Sequence, residues 1–353
     1  MNQRLKNLAG KLRENNLDGL IVSLASNISY LTRYSSRDSY LLISLQGNIY
    51  FTDYRYIEEA RHNLKGVACV KQVNGSVFNL LGESCLALGL KRVGFEERFL
   101  AYAEFKKIKS SLKGRAKLLP FHSLIESLRQ IKDPQELQKI RKAIQITAKA
   151  LKFIITFIRP GLKEIEVVAE LERFIRYHGA SNRAFDIIVA SGPNSSFPHH
   201  IPSVRKLSKD EPVLIDMGVD YGGYKCDLTR VFFLDKIKGL IREIYAIVRE
   251  AQERALKKIK PACRISEVDS ASRQYIAQKG YGACFGHNLG HGIGLDIHEA
   301  PYISGKEDSI LERGMVFTVE PAIYLPDKFG IRIEDVVLVT QEGCEVLSGS
   351  IHK

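Results

Sequence analysis

The chain has 353 residues, a length that suggests two domains or one large one. With 45% hydrophobic and 26% charged residues it has the composition of a globular protein, which excludes disordered, collagen-like and coiled-coil chains. The net charge is +12, but basic residues are interspersed with acids and no aromatic RNA-binding motif accompanies them, so we predict no nucleic-acid partner. No apolar run approaches the ~18–20 residues of a membrane span, and we predict no membrane association.

The first 130 residues alternate between predicted helices and strands. Leu5, Leu8 and Leu12 repeat at helical spacing, and the run 19–23 is typical of a buried strand. Further predicted elements are strands at 40–44, 48–52 and 92–95 and helices near 54–64, 75–88 and 101–112. Helices between strands predict an α/β domain, which we end at residue 130.

A second domain is predicted over residues 131–353. Asp133 is predicted to be the N-cap of a helix with Pro134 at its first position, and the helix should run to about residue 158. Further helices are predicted at 163–178, about 236–260 and 266–279. The intervening segments are strands and turns rich in His, Asp, Glu and Gly, so the fold class is α/β (α+β) overall.

Two segments, 213–233 and 315–338, share one plan of strand, glycine-containing turn and strand. Each arm carries one carboxylate within apolar sequence: Asp216, Asp227, Glu320 and Glu334. A carboxylate in a buried strand is costly unless it is paired or binds a metal. The alternative is that these acids pair with Arg230 and Arg332 or lie on exposed strand faces. Four acids in two related hairpins favour a shared cation site built by a pseudo-twofold repeat.

Histidines accompany the hairpins in the glycine-rich segment 285–299. His287 and His291 have the spacing of a helical zinc pair, but glycines at 290, 292 and 294 argue against a helix. One nitrogen ligand beside four carboxylates suits a borderline-hard divalent ion such as manganese or cobalt. A site with this many anionic oxygens can hold two ions and a bridging hydroxide.

These residues resemble the metallopeptidase family with the pita-bread fold. The family includes Xaa-Pro aminopeptidase (aminopeptidase P), prolidase, methionine aminopeptidase and the non-hydrolytic creatinase. The resemblance covers nearly the whole chain, with the first ~130 residues similar to the creatinase-type N-terminal domain. Its motifs are Ser191-Gly192-Pro193-Asn194, Asp216-x-Gly, Asp227-x-Thr-Arg, Gly290-His291-Gly292-Ile293-Gly294-Leu295, His298-Glu299, Thr318-Val319-Glu320-Pro321 and Gly330-Ile331-Arg332-Ile333-Glu334-Asp335.

The resemblance implies a complete set of metal ligands. Asp216 would chelate one ion, Asp227 and Glu334 would bridge both, and His291 and Glu320 would complete the second. The ions would be two divalent metals, Mn²⁺ or Co²⁺, with Zn²⁺ as a further option. An intact ligand set argues against creatinase and against a non-enzymatic binding protein on the same fold.

The resemblance also implies catalytic roles. A hydroxide held between the ions would attack the carbonyl before proline, and Glu320 would pass its proton to the proline nitrogen. His298 would donate to the developing oxyanion. His199 would lie on the substrate side, and His287 would help close the pocket. Arg332 would orient a ligand carboxylate.

The substrate class follows from details of the same motifs. In methionine aminopeptidases the two corresponding glutamates are separated by about twice as many positions of the sequence as Glu320 and Glu334. In some prolidases an Arg binds the free carboxylate of the dipeptide, and this chain has Tyr302 at that position. We therefore predict an Xaa-Pro aminopeptidase acting on peptides with proline in the second position, with prolidase as the alternative. Tyr324 would line the pocket or simply pack. His200 has no counterpart in the family motifs, so we expect it at the surface.

Two further expectations concern assembly and location. In this family the N-terminal domain takes part in dimer contacts, so we expect a homodimer. The six cysteines form no CxxC pair, and the N-terminus lacks the apolar core of a secretion signal. We therefore expect a cytoplasmic protein with reduced thiols.

Overall fold

The computed structural model describes residues 3–237 and 239–351 and divides the chain into two compact units, Met1–Arg129 and Gln130–Lys353. Within these described residues, no helix has the length and apolar character needed to cross a membrane. All six cysteines lie in the described ranges, and each is a free thiol.

The first unit is a mixed sheet with helices. Its strands are β1 (Gly19–Val22), β2 (Ser39–Ser44), β3 (Ile49–Thr52), β4 (Cys69–Gln72), β5 (Arg92–Glu96) and β6 (Lys117–Phe121). Its helices are α1 (Gln3–Glu14), α2 (Ala25–Thr32), α3 (Ile57–Asn63), α4 (Val77–Ala87), α5 (Tyr102–Ser111) and α6 (Glu126–Arg129). The sheet order is β4-β3-β2-β1-β5-β6, so the fully buried β1 lies in the interior of the sheet.

Four of these elements were not predicted from the sequence: α2, α6, β4 and β6. The two strands are the edges of the sheet, and most of their residues are exposed or half-buried. An edge strand buries little apolar surface, so it lacks the apolar run that revealed β1.

The second unit begins with a capped helix. The Asp133 carboxylate accepts a hydrogen bond from the backbone N–H of Glu136 at 2.9 Å, and the Glu136 carboxylate accepts one from the N–H of Asp133 at 2.9 Å. The helices of this unit are α7 (Pro134–Phe157), α8 (Glu164–Tyr177), α9 (Gly239–Lys258) and α10 (Ile265–Gln278). The sequence predicted all four of these helices.

The strands of the second unit form several small sheets. They are β7 (Asn182–Arg183), β8 (Ile188–Ser191), β9 (Pro212–Met217), β10 (Val219–Tyr221), β11 (Tyr224–Lys225), β12 (Leu228–Phe233), β13 (Gly290–Gly292), β14 (Glu299–Ile303), β15 (Val316–Val319), β16 (Ala322–Leu325), β17 (Phe329–Arg332), β18 (Asp335–Val339) and β19 (Cys344–Val346). The sheet orders are β12-β9-β8, β11-β10-β7, β14-β13-β15-β18-β19 and β16-β17.

The central strands of this unit are buried on both faces. In β18, Val336 belongs to the core cluster that contains α7 and α8, whereas the next residue, Val337, belongs to the cluster that contains α9 and α10. Successive side chains of a strand point to opposite faces, so the strands lie between two helix pairs. This explains why the hairpin arms read as continuous apolar runs and why a carboxylate within them is deeply buried.

Candidate metal centre

Both predicted hairpins form, and each changes its pairing at its carboxylates. In the first, β9 pairs with β12, and β10 pairs with β11 beyond the acids. Asp216 lies in β9, and Asp227 directly precedes β12. In the second, β15 pairs with β18, and β16 pairs with β17. Glu320 directly follows β15, and Glu334 directly precedes β18. The acids of both hairpins therefore stand where one ladder ends and the next begins.

The structure brings the predicted site residues together around one cavity. This cavity has a volume of about 1070 Å³ and lies within the second unit. The five predicted metal ligands that line it are Asp216, Asp227, His291, Glu320 and Glu334. The other predicted site residues that line it are His199, His287, His298, Tyr302, Tyr324 and Arg332.

A compact group of ligand atoms lies in the cavity wall. Asp227, His291 and Glu334 are buried, and each places one ligand atom within 4.8 Å of those of the other two. The Nε2 atom of His291 also lies 3.4 Å from Oε1 of Glu320. Asp216 lies in β9 and is likewise buried.

The His291 imidazole is oriented as a metal ligand requires. Its Nδ1 lies 3.1 Å from the carbonyl oxygen of Gly292, which can only accept, so Nδ1 carries the proton. Burial, reinforced by the nearby His298, lowers the pKa of His291 to about 4. The neutral ring therefore presents the Nε2 lone pair to Asp227 at 3.6 Å and Glu320 at 3.4 Å.

The carboxylates repel one another. Burial raises the pKa of Asp227 well above its usual range, and the Glu334 and Asp216 charges add to this. Burial likewise raises the pKa of Glu334, with Glu320 and Asp216 as the next causes. Burial also raises the pKa of Glu320 to about 7, although the Arg332 charge opposes this. Negative charge is thus held here at a cost that nearby cations would relieve.

Unpartnered oxygen atoms show that this group fits divalent ions. Within residues 3–237 and 239–351, Oδ1 of Asp216, Oδ1 of Asp227 and Oε1 of Glu334 are buried without a hydrogen-bond partner. Buried carboxylate oxygens normally have partners, and an imidazole lone pair facing carboxylates is unfavourable unless a cation lies between them. The donor set of oxygens with one nitrogen suits Mn²⁺, Co²⁺ or Zn²⁺.

Two threonines that the sequence analysis gave no role orient the acids. Thr229 donates to Oε2 of Glu334 at 2.7 Å, and Thr318 donates to Oε1 of Glu320 at 3.1 Å. Thr318 also accepts a hydrogen bond from the backbone N–H of His291 at 3.1 Å. Their position two residues from an acid in each hairpin was the available signal.

Arg332 connects one acid to the far side of the pocket. Its guanidinium donates to Oδ2 of Asp216 at 2.6 Å and to the hydroxyl of Tyr324 at 2.6 Å. The Tyr324 hydroxyl lies 3.4 Å from Nε2 of His287, whose Nδ1 contacts the Asn288 carbonyl at 2.7 Å. Tyr324 therefore lines the pocket and also connects Arg332 to His287 by hydrogen bonds.

The alternative in which both arginines neutralise the hairpin acids holds only in part. Arg332 pairs with Asp216, but the side chain of Arg230 pairs with Asp335 at 2.7 Å, and both of those groups are buried. The other three acids are left to be compensated in another way.

The residues that the sequence analysis predicts on the substrate side are accessible. His199 and His298 are exposed, and Tyr302 is 40% exposed. The ring centroid of His298 lies 4.3 Å from that of His291 in an edge-on arrangement, so His298 stands next to the cluster. The following residue, Glu299, forms a buried ion pair with Lys132 at 2.8 Å, which the sequence analysis did not foresee.

One histidine departs from its expected setting. His200 had no counterpart in the family motifs and was interpreted as a surface residue, which is wrong. Its side chain is 13% exposed, and its Nε2 lies 2.8 Å from the buried carboxylate of Glu164.

Comparisons with known proteins agree with this architecture. The chain is 36% identical to the Xaa-Pro dipeptidase of Pyrococcus furiosus over 352 residues, which is 99% of this chain and 98% of that protein. A solved Xaa-Pro dipeptidase from Bacillus anthracis superposes with a TM-score of 0.95 at 38% identity, covering 99% of this chain and 98% of that one. An X-Pro aminopeptidase from Thermotoga maritima gives a TM-score of 0.89 at 37% identity, with 98% and 97% coverage.

Two family models match successive parts of the sequence. Residues 4–131 match the creatinase/prolidase N-terminal domain, and residues 138–341 match metallopeptidase family M24. The predicted fold class is therefore confirmed as a creatinase-type α/β domain followed by a pita-bread domain. The chain is a metallopeptidase that belongs to family M24.

Proposed function

We propose that this metallopeptidase is an Xaa-Pro aminopeptidase that removes the first residue from peptides with proline in the second position, using two divalent ions. The observation that carries the proposal is the cluster of Asp227, His291 and Glu334 beside Asp216 and Glu320, whose unpartnered oxygens face one cavity. We assign all five as ligands, with Mn²⁺ or Co²⁺ preferred over Zn²⁺.

The side chains of the pocket take the remaining roles. The five ligand side chains would hold two divalent ions, which when bound would supply a nucleophilic water at neutral pH and polarise the scissile carbonyl. Glu320 accepts a proton at its carboxylate and delivers it to the proline nitrogen, which must be protonated to leave. His298 donates a hydrogen bond to the developing oxyanion, and His199 contacts the bound peptide. His287 is fixed by Tyr324 and closes the pocket.

The size of the cavity supports substrates longer than a dipeptide. About 1070 Å³ is slightly above the ~300–1,000 Å³ typical of sites for drug-sized ligands. Beyond the acids the cavity is bordered by apolar side chains, among them Ile165, Val168 and Ile201. Tyr302 is a neutral side chain at the position where some prolidases bind a dipeptide carboxylate.

The second candidate is an Xaa-Pro dipeptidase. The Pyrococcus furiosus and Bacillus anthracis relatives are named as such, and each matches this chain over nearly its whole length. The Thermotoga maritima structure, which is almost as similar, is named as an aminopeptidase. The choice between the two therefore depends on substrate length.

Three further points belong to the proposal. We place the domain boundary between residues 130 and 131. We expect a homodimer and a cytoplasmic location, the latter in keeping with six free thiols.

A single cleavage assay tests the proposed activity. Metal-stripped protein is reloaded with Mn²⁺ or Co²⁺ and given an equimolar mixture of an Xaa-Pro dipeptide, an Xaa-Pro-Yaa tripeptide and a Met-Ala peptide. Release of the first residue from the tripeptide, followed by mass spectrometry, supports the aminopeptidase. Cleavage of the dipeptide alone means prolidase, and no cleavage with either metal overturns the peptidase proposal.

A further inference from the structure

The cavity has one wall that lacks regular secondary structure beyond a short 3-10 turn. This wall segment, residues 192–203, follows β8 and contributes Pro198, His199, His200, Ile201 and Pro202 to the cavity lining. Its side chains bury little apolar surface, since Phe197 is 59% and Ile201 84% exposed. Something other than apolar packing must therefore fix the position of His199.

A single buried carboxylate gathers both ends of the wall segment. Oε1 of Glu164 accepts hydrogen bonds from the N–H and hydroxyl of Ser191, both at 2.8 Å, and from the amide of Asn194 at 3.0 Å. Oε2 accepts from His200 at 2.8 Å and from the N–H and hydroxyl of Ser203 at 3.0 and 2.7 Å. Glu164 itself is fully buried at the start of α8.

We propose that Glu164 is a positioning residue for the peptidase reaction, holding the wall segment so that His199 faces the metal cluster. This inference rests on the proposed function, because His199 acts there on the peptide. Glu164 reaches His199 through its neighbour His200, whose Nε2 must be protonated because a carboxylate only accepts. His199 is thus held through His200 beside it. Ser191, directly before the wall segment, and Ser203, its last residue, hold the two ends of the segment.

The geometry explains why a carboxylate is required at this position. Each oxygen of Glu164 receives one backbone N–H, that of Ser191 on Oε1 and that of Ser203 on Oε2. A glutamine has one oxygen and one NH₂ group, so in either orientation its NH₂ would meet a backbone N–H. Glu164→Gln therefore opens one end of the wall segment while preserving the shape of the side chain.

The test combines amide exchange with a double-mutant cycle on the manganese-loaded protein. Glu164→Gln is compared with Glu170→Gln, which makes the same change on the same helix at a half-buried residue paired with Arg173. Hydrogen–deuterium exchange of residues 192–203 is expected to rise about tenfold in Glu164→Gln and to stay unchanged in Glu170→Gln.

Kinetic measurements test whether the wall segment affects cleavage through His199. For an Xaa-Pro-Yaa peptide, kcat/KM is expected to fall about a hundredfold in Glu164→Gln, the size typical of a displaced positioning group. His199→Ala should then cost much less in the Glu164→Gln background than in the parent. A role confined to stability would leave the His199→Ala factor equal in both backgrounds, which would overturn the proposal.

Failure of the proposed function is distinguishable from failure of this inference. If the parent protein cleaves no peptide, the proposed function fails. The hydrogen–deuterium exchange measurement then tests by itself whether Glu164 is the anchor of the wall segment, and unchanged exchange in Glu164→Gln overturns that role. If Glu164→Gln does not fold, Ser203→Ala and His200→Ala each remove one donor from Oε2. Faster exchange of the wall segment in both supports the anchor, and exchange like that of the parent overturns it.

Discussion

Glu164 and Glu334 are both fully buried glutamates of the second unit, but their surroundings differ. Both oxygens of Glu164 accept hydrogen bonds, and although burial raises its pKa, bonds from His200, Ser191 and Ser203 outweigh this and lower the pKa to about 2. Glu334 has one oxygen bonded to Thr229 and one without a partner, and burial raises its pKa. A carboxylate that its own chain fully satisfies holds structure, whereas one left partly unsatisfied among other acids is suited to bind cations.

The largest expected effect is at the cluster. Asp227→Asn and His291→Ala should each abolish stable binding of the metal pair and lower kcat/KM by about a thousandfold or more, since even outer partners of metal ligands are worth ~10- to 100-fold. Metal content by mass spectrometry and cleavage of an Xaa-Pro-Yaa peptide provide the measurement. Unchanged metal content and activity in both variants would refute the ligand assignment.

The two carboxylate settings should respond to acid with opposite signs. The pKa of Glu164 is lowered from 4.5 to about 2, so its contribution is complete above pH 4.5 and disappears as the pH falls toward 2. That contribution is on the order of 3 kcal/mol, at 1.36 kcal/mol per pKa unit. Denaturant unfolding at pH 5 and pH 3 should show a smaller loss in Glu164→Gln than in the parent. Equal losses would contradict the anchor.

Glu320 provides the opposite case in metal-free protein. Its pKa is raised from 4.5 to about 7, so its charge destabilises the fold above pH 7, and this penalty fades as the pH falls toward 4.5. Glu320→Gln should therefore make the metal-free protein more stable at pH 7 and have little effect at pH 4.5. Added Mn²⁺ should reverse the order, with the parent gaining more stability than the variant. A destabilised metal-free variant at pH 7 would argue against mutual repulsion in the cluster.

A smaller effect on metal affinity is expected at Thr229, which bonds to one carboxylate oxygen of the cluster. Thr229→Val removes the hydroxyl that donates to Glu334 and should weaken metal affinity by about 10- to 100-fold. Thr229→Ser keeps the hydroxyl and serves as the matched control. Titration of metal-stripped protein with Mn²⁺ compares the three proteins, and equal affinities would show that the hydroxyl does not orient the ligand.

The smallest effect concerns substrate length. Tyr302→Arg places a cation at the exposed position where some prolidases bind a dipeptide carboxylate, and a charged hydrogen bond is worth about 1.5–3 kcal/mol. The ratio of tripeptide to dipeptide cleavage should fall about tenfold or more. Tyr302→Phe is the control for loss of the hydroxyl, and an unchanged ratio in Tyr302→Arg would mean that this position does not set length preference.

Sequence patterns were most informative where burial and chemistry conflict. The hairpin arms were recognisable because acids such as Asp216 interrupt apolar strand sequence, and the long helix α7 was announced by its Asp133 cap. The strands β4 and β6 were missed because edge positions leave most of their residues exposed or half-buried. The other three helices of the second unit, α8, α9 and α10, were also predicted from the sequence.

Long-range polar contacts were beyond reach of the same reasoning. Glu164 opens a predicted helix, where an acidic residue is ordinary, and nothing in its local pattern points to Ser203 or His200. The same holds for Lys132 and Glu299, which meet across 167 positions of the chain. Such pairs follow from how the elements pack, and the spacing of residues along the chain does not record that.

The close approach of Gly330 to the wall segment has a consequence for the width of the peptide path. The N–H of Gly330 in β17 donates to the Ser195 hydroxyl at 2.9 Å, and a methyl group at this glycine would lie 2.1 Å from the Ser195 carbonyl oxygen. The second hairpin and the wall segment are therefore in direct contact, with no room for a side chain at residue 330. The hydrogen atom at residue 330 therefore sets the spacing between the two walls, and alanine there would force Ser195 and the second hairpin apart and so displace the wall segment that carries His199.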